Sequence, residues 1–458
     1  MARDNSEEEN AARLVELVNQ RFEDNQNSTP KIQRVPLFLR QNPHFYRYCT
    51  PKTISFGPIH HRNQNLKQQG QHLKLQWTSL YIEQYSKLPT FNGNKQTAAN
   101  YLFGIVQNNI EEIKELFSKD VLEDYCNNEL IWMLFEDGCS YLFCLENFDI
   151  EHPEALNLKV DQWMYIWRDM TLLENQLPMK LLKLLSTKKG SDLEHLLYNF
   201  VTMGAVKRNC TVMIRLAYTA ESVHHLLGFV RSYFVGETEM ETEKIGSDLM
   251  AHLPLLPHPW LTYKNVRDLK KSGIRVAKAE SPEWKWNNLS FTSRWFSGRL
   301  RLPVYVYNDV TPYFFRNLIA YEMCPDFCSS FECCSIFCFM DSLIDDAEDV
   351  KELRSAGVIQ NLLKSDQELA DFLNDIGHEL PTKIFNHLRS DAAPFSKKYI
   401  QVKFQIERHY SNKWRTWLAE ARSTYFNSPW SLLAFLAAFT ALVLTFIQTW
   451  YAVHSKDQ

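Results

Sequence analysis

Four groups of side chains in this 458-residue sequence have types and spacings that could support chemistry. The first is the doublet His60-His61, which follows Gly57-Pro58. Imidazoles titrate near neutral pH and ligate metals, so adjacent histidines could serve as a general base or as metal ligands. Either role needs a third ligand or an orienting carboxylate, and neither lies nearby in the chain. The better reading is histidines that fix a tight turn. The second group is Glu174-Asn175-Gln176, enclosed by Leu172, Leu173 and Leu177 and closed by Pro178. Polar groups in apolar surroundings must find hydrogen-bond partners or cost a few kcal/mol each, about 1–3 by mutational measures. Glu174 could be a catalytic carboxylate flanked by amide stabilisers. No nucleophile accompanies it, which favours a buried network that fixes a helix break.

The third group is Cys324, Cys328, Cys333, Cys334 and Cys338. Two pairs are spaced by four residues, the interval that puts side chains on one helix face. This is not the ligand spacing of a zinc finger or ribbon, and Phe327, Phe331, Phe337 and Phe339 interleave. Buried free thiols among aromatic rings are expected, with no metal and no other cofactor. The fourth group is the basic run Lys264, Arg267, Lys270, Lys271, Arg275 and Lys278, which reads either as a solvated face or as a contact for anionic lipid. The loops G-x-G-x-x-G, G-x-S-x-G, H-E-x-x-H and C-x-x-C, the P-loop and the EF-hand loop are all absent from the sequence. Glycine is scarce, 14 residues in all, and nowhere clustered to cradle a phosphate. These absences argue against an enzyme of the common classes.

The elements that must position these groups are mostly helical. Helical apolar spacing is expected around Leu73, Trp77, Leu80 and Tyr81, along Leu102 to Phe117, and around Leu130, Met133 and Leu134 leading into Asp137-Gly138-Cys139. It returns at Leu193 to Val201, Arg316 to Glu322, Phe339 to Ile344, Leu369 to Ile376 and Ile400 to Leu418. Residues 295–307 alternate β-branched and aromatic residues with polar ones, the pattern of a small antiparallel sheet in the second half. The sequence therefore predicts a mainly α fold. It reads as an acidic lead-in over 1–29, a helical domain over 30–422 with an exposed acidic loop near 236–246, and an apolar segment over 423–458.

The apolar segment is the clearest single signal. From Trp430 to Val453 no residue is charged, and the stretch is long enough as a helix to cross a hydrocarbon core of about 30 Å. Trp430 at one end and Trp450 and Tyr451 at the other match the preference of amphipathic rings for the headgroup layer. The polar, acidic N-terminus MARDNSEEEN has no signal-peptide character. Lys413, Arg415 and Arg422 precede the span, and Lys456 follows it. A tail-anchored protein with a cytosolic N-terminal domain is expected, in the plasma membrane or an endomembrane. The net charge of −4 argues against a nucleic-acid binder, whose affinity comes largely from neutralised phosphates.

The motifs IQRVP (32–36), ISFGPIHH (54–61), DGC (137–139), DMTLLENQLP (169–178), the His224-His225-Leu226-Leu227 run and LRLP (300–303) occur in this order. They are followed by RNLIAYE (316–322), with Asn317 and Glu322, then FMDSLIDDAEDV (339–350) and YFNSPW (425–430). Together they resemble a plant family known as domain of unknown function 247, from about Ile32 to the apolar segment. In the VRDLKKSGI stretch (266–274) the sequence departs from the family pattern, with Asp268 and Ser272 where the family has a Glu-Leu-x-x-Ala-Gly run. The resemblance implies a single C-terminal transmembrane helix and no established enzymatic activity. It also implies, from grass members that look like determinants of pollen self-incompatibility, recognition of a protein partner. A membrane-tethered hydrolase or metal-dependent enzyme using His60, His61 and Glu174 is the rival expectation.

Overall fold

The structure, a computed structural model, describes residues 30–149, 152–188, 190–202, 223–235, 265–280, 285–286, 288–294, 297–327, 331–380, 396–411 and 429–454. The acidic lead-in, the loop at 236–246 and Cys328 lie outside the described residues, as do Lys264 and the segment 412–428 that carries Lys413, Arg415 and Arg422.

Helix α1 (Gln64–Ser86) is capped by the Asn63 side chain and buries Trp77 and Tyr81. It packs along α3 (Asn127–Glu146), with α2 (Lys95–Asn108) leaning on both. The apolar run from Leu102 to Phe117 is not one helix. Asn109 breaks it, turning its amide back to the Ile105 carbonyl at 2.8 Å, and a short helix follows over Ile110–Lys114. The Asp137-Gly138-Cys139 triplet lies inside α3 rather than after it, because the helix is buried on every side from Leu130 to Leu145 except at Trp132 and Glu136. Helices α4 (Val160–Met170) and α5 (Met179–Leu185) are separated by the non-helical segment 171–178. Helices α6 (Ser191–Val201) and α7 (Leu226–Val235) complete the first half.

In the second half, α8 (Val266–Lys271) leads into a sheet in the order β1 (Ile274–Lys278), β3 (Gly298–Leu302), β2 (Ser290–Ser293). An antiparallel pair is present in the second half, β2 with β3, but β2 lies before the expected stretch 295–307. Parallel pairing joins β1 to β3, and residues 305–307 of that stretch belong to a separate sheet. Strand β1 comes from the basic run, where Arg275 and Lys278 hide the strand signal. A parallel pair, β4 (Tyr305–Tyr307) with β5 (Ile359–Asn361), stands beside it. Helices α9 (Thr311–Glu322), α10 (Glu332–Asp341), α11 (Ala347–Ser355), α12 (Asp366–Glu379) and α13 (Lys397–Tyr410) pack around these strands. The protein is mainly helical with two small sheets, and its buried apolar side chains from Ile32 to Ile406 form one continuous cluster.

Helix α14 (Pro429–His454) matches the expected span. Its side chains from Leu433 to Trp450 are exposed, and among the described residues it alone is long and apolar enough to cross a membrane. The Thr440, Thr445 and Thr449 hydroxyls donate to the carbonyls four residues earlier at 2.7–2.8 Å, so these three hydroxyls are satisfied within the helix. The side chains of Trp430 and Tyr451 lie outside the described residues, while that of Trp450 is exposed.

Candidate functional site

The segments 52–58 and 171–178 run past one another in the middle of the fold with no regular ladder between them. Their backbone groups are buried and need partners. The motif side chains supply those partners. Asn175 accepts from the Phe56 amide at 2.6 Å and donates to the carbonyls of Ile54 and Asp169 at 3.1 and 2.8 Å. Gln176 donates to the carbonyls of Met170 and Leu172 and accepts from the Leu227 amide at 2.9 Å. The His224 carbonyl receives the Met179 amide, so the His-His-Leu-Leu run is stitched to the other end of the same loop.

Buried carboxylates do similar work. One Asp137 oxygen accepts from the Gly57 amide at 2.7 Å, and the other is paired with Lys74, which also donates to the Ser55 carbonyl. Asp169 accepts from the amides of Lys52, Thr53 and Ile54 while holding the Arg168 guanidinium. Burial pushes its carboxyl upward against those donors. Glu322 bonds Arg231 and accepts from the Cys333 and Cys334 amides, which caps the start of α10. Asn317 accepts from the Leu173 amide and donates to the Tyr48 and Tyr313 carbonyls, tying the loop to the second half.

Glu174 is the carboxylate that most resembles a catalytic group. Its side chain is fully buried, and one oxygen accepts from the Val35 amide at 2.8 Å. The other faces the Tyr46 hydroxyl and His60 Nε2, each at 2.9 Å. The rival reading of the sequence grouped Glu174 with both histidines; the fold brings Glu174 to His60 across 114 residues. His61 does not join them. Its ring lies edge-on to Tyr125, 6.3 Å between centroids, and burial lowers its basicity. Burial and then the Glu174 charge push the Tyr46 hydroxyl upward, so Tyr46 donates and does not ionise. Both oxygens of this carboxylate are thus engaged by groups of the protein itself.

Glycine is required at one turn and useful at one crossing. Gly57 has φ +73°, and a Cβ there would sit 2.8 Å from the Gln176 carbonyl oxygen. Gly138 lets α3 approach α5, where a Cβ would meet a Leu185 methyl at 2.5 Å. Pro58 offers its carbonyl to the Tyr125 hydroxyl at 2.7 Å, and Pro178 sits just before the first turn of α5.

Cys324, Cys333, Cys334 and Cys338 are buried, and burial raises the thiols of Cys324, Cys333 and Cys334 well above their ordinary range. Such thiols are poor nucleophiles and poor metal ligands. Among the described residues no three His, Cys, Asp or Glu side chains converge to hold a metal. Within the basic run, Arg267 bonds Asp346 and Asp349, Lys270 bonds Glu352, and Lys271 bonds Asp268. Sequence reasoning missed Tyr46, Lys74 and Arg231, whose partners lie 63 to 128 residues away. Asp169 was visible only as the first residue of the DMTLLENQLP stretch.

A family described as "plant protein of unknown function", domain of unknown function 247, matches residues 32–444. The chain belongs to this family. The UPF0481 protein At3g47200 of Arabidopsis thaliana is 27% identical over 448 residues, covering 93% of this chain and 86% of that protein. A putative UPF0481 protein of the same plant, At3g02645, is 31% identical over 196 residues, or 43% of this chain and 34% of that protein. No solved structure matches. The matched span of the family covers all of the motif side chains described above and most of α14.

Proposed function

We propose that this plant protein is a membrane-tethered, non-enzymatic recognition module, held to the bilayer by α14 and acting through the surface of its helical domain. The observation that carries the reading is Glu174. A carboxylate with no exposed surface, and with both oxygens engaged by Val35, Tyr46 and His60, has no free face for a substrate or an activated water. The other motif side chains are spent on backbone groups in the same way, which supports a scaffold more than a reaction centre. The outer surface offers a contact of the required kind. Trp132 is 61% exposed and lies 4.5 Å from the Phe103 ring, with Tyr101 exposed on the same helix as Phe103. Exposed aromatic groups of this kind are typical anchors of protein interfaces.

The rival reading of a tethered hydrolase has one observation in its favour, the 2.9 Å contact between His60 and Glu174. It lacks a nucleophile, and His61 points elsewhere. The two readings separate in one experiment on the full chain in plant membranes. A photo-crosslinker placed at exposed Asn128, one turn before Trp132 on α3, captures a discrete partner protein, capture fails when Trp132→Ala is added, and folded His60→Gln and Glu174→Gln variants keep it. A turnover activity abolished in those two variants while the fold persists overturns the proposal. The cytosolic placement of the helical domain is tested by proteolysis of sealed vesicles, where digestion from outside supports it and full protection opposes it.

A further inference from the structure

The outward face of the three-stranded sheet is cationic. The register sets Arg275 of β1 directly opposite Arg299 of β3, with Thr292 of β2 as the next neighbour in the same row. The adjoining row is Ala277, Arg301 and Ser290. The opposite face carries Ile274, Leu300, Leu302 and Phe291 into the core, so the arginines cannot turn inward. Arg275 and Arg299 are exposed and have no carboxylate partner among the described residues; Arg301 alone in this group is paired, with Glu280. Like charges directly opposite on neighbouring strands destabilise a sheet. An anionic surface laid over this face would remove that penalty.

The position of the sheet in the chain says which surface. Strand β2 packs against α13, the last described helix before α14. The contact is made at the far end of α13, where His409 bonds the Ser293 hydroxyl at 2.8 Å and stacks edge-on against Phe291 at 5.7 Å. The chain therefore leaves the domain at Ser411, beside this sheet, and reaches Pro429 through residues 412–428. That stretch spans roughly 60 Å when fully extended and much less when coiled. Of the two sheets, this is the one that packs against the helix leading to α14.

We propose that the Arg275–Arg299 face of the sheet docks on the anionic headgroups of the bilayer that α14 enters. The proposal rests on α14 being a membrane anchor and adds a second, electrostatic contact that orients the domain on its own membrane. The engaged cations of α8 are not needed for it. Each exposed arginine near an anionic leaflet adds a modest increment, and the contact weakens with salt.

The test uses the full chain reconstituted into vesicles of phosphatidylcholine alone or with phosphatidylserine. A single fluorophore sits at residue 292 through Thr292→Cys in a background carrying Cys126→Ser, Cys210→Ser and Cys328→Ser, and headgroup-bound nitroxide lipid is the quencher. Flotation with both vesicle types reports the anchor by itself. Quenching that is strong with phosphatidylserine, weak without it, and lost between about 0.05 and 0.5 M salt is expected. Arg275→Gln with Arg299→Gln lowers the docked-to-undocked ratio by about tenfold or more while flotation is unchanged. Equal quenching in the two lipids, or a double variant that behaves as the parent does, overturns the docking proposal and leaves the anchor standing. Failure to float would overturn the anchor instead. Circular dichroism matching the parent confirms that each variant is folded.

Discussion

Replacing Glu174 separates a structural carboxylate from a catalytic one. In Glu174→Ala the Val35 amide, in a residue only 1% exposed, loses its acceptor in a place water does not reach. An orphaned buried donor costs about 1–3 kcal/mol. Tyr46 and His60 also lose their acceptor, but both are partly exposed and recover most of it from solvent, adding about 1 kcal/mol between them. The expected loss is about 2–4 kcal/mol. Glu174→Gln is milder. Its amide oxygen keeps the Val35 bond, while its nitrogen donates to the Tyr46 oxygen and to the facing His60 ring nitrogen. That leaves a loss of about 1 kcal/mol from exchanging charged for neutral hydrogen bonds. Urea titration of the detergent-solubilised full chain, followed by intrinsic tryptophan fluorescence, reads both values. A Glu174→Ala midpoint equal to the parent's, or a Gln variant as damaged as the Ala variant, would refute the assignment of these bonds as the source of stability.

Other perturbations follow from the same geometry. His225 is fully buried, and its basicity is pushed down to about 3, first by burial and then by His224. Its folded value lies below the unfolded value of about 6.5, so its contribution is intact above pH 6.5 and is lost as pH falls toward 3, by about 2 kcal/mol at pH 5. His225→Gln should flatten that part of the stability-against-pH curve, and an unchanged slope would contradict the burial. Gly57→Ala meets backbone at a left-handed φ and should cost about 2 kcal/mol or more. Gly138→Ala meets only a Leu185 methyl and should cost less, an order that thermal melts of the two variants check. Glu322→Gln leaves Arg231 charged and buried and should destabilise by about 3–5 kcal/mol, most of it restored by Arg231→Met in the double variant. Deleting 430–453 should move the protein from the carbonate-resistant membrane pellet to the supernatant.

The sequence made local features legible and left the long-range ones dark. The core faces marked by Trp77, Leu102, Leu130 and Leu193 are where their spacing put them, because burial on one side imposes the helical period. Leu80 was read onto a buried face and is 37% exposed, since one apolar residue off the stripe costs a helix little. Strand β1 stayed hidden because a solvent-facing arginine and lysine interrupt its apolar alternation. Glu174-Asn175-Gln176 was recognisable as a buried network from its apolar setting alone. Its partners were not, because Val35, Phe56 and Leu227 contribute backbone amides, and an amide carries no residue signature.

The first described residues are also fastened to distant ones. The Lys31 amide and the Gln33 side chain donate to Asp326, 295 and 293 positions further on, and Ile32 bridges Phe117. At about 5–20 residues per second, a ribosome needs roughly 15–60 s to produce Asp326 after Lys31 has appeared. Through that interval the Lys31 amide and the Gln33 side chain have only water to bond in place of Asp326. Once Asp326 arrives the clasp can shut before the apolar helix from Pro429 leaves the exit tunnel.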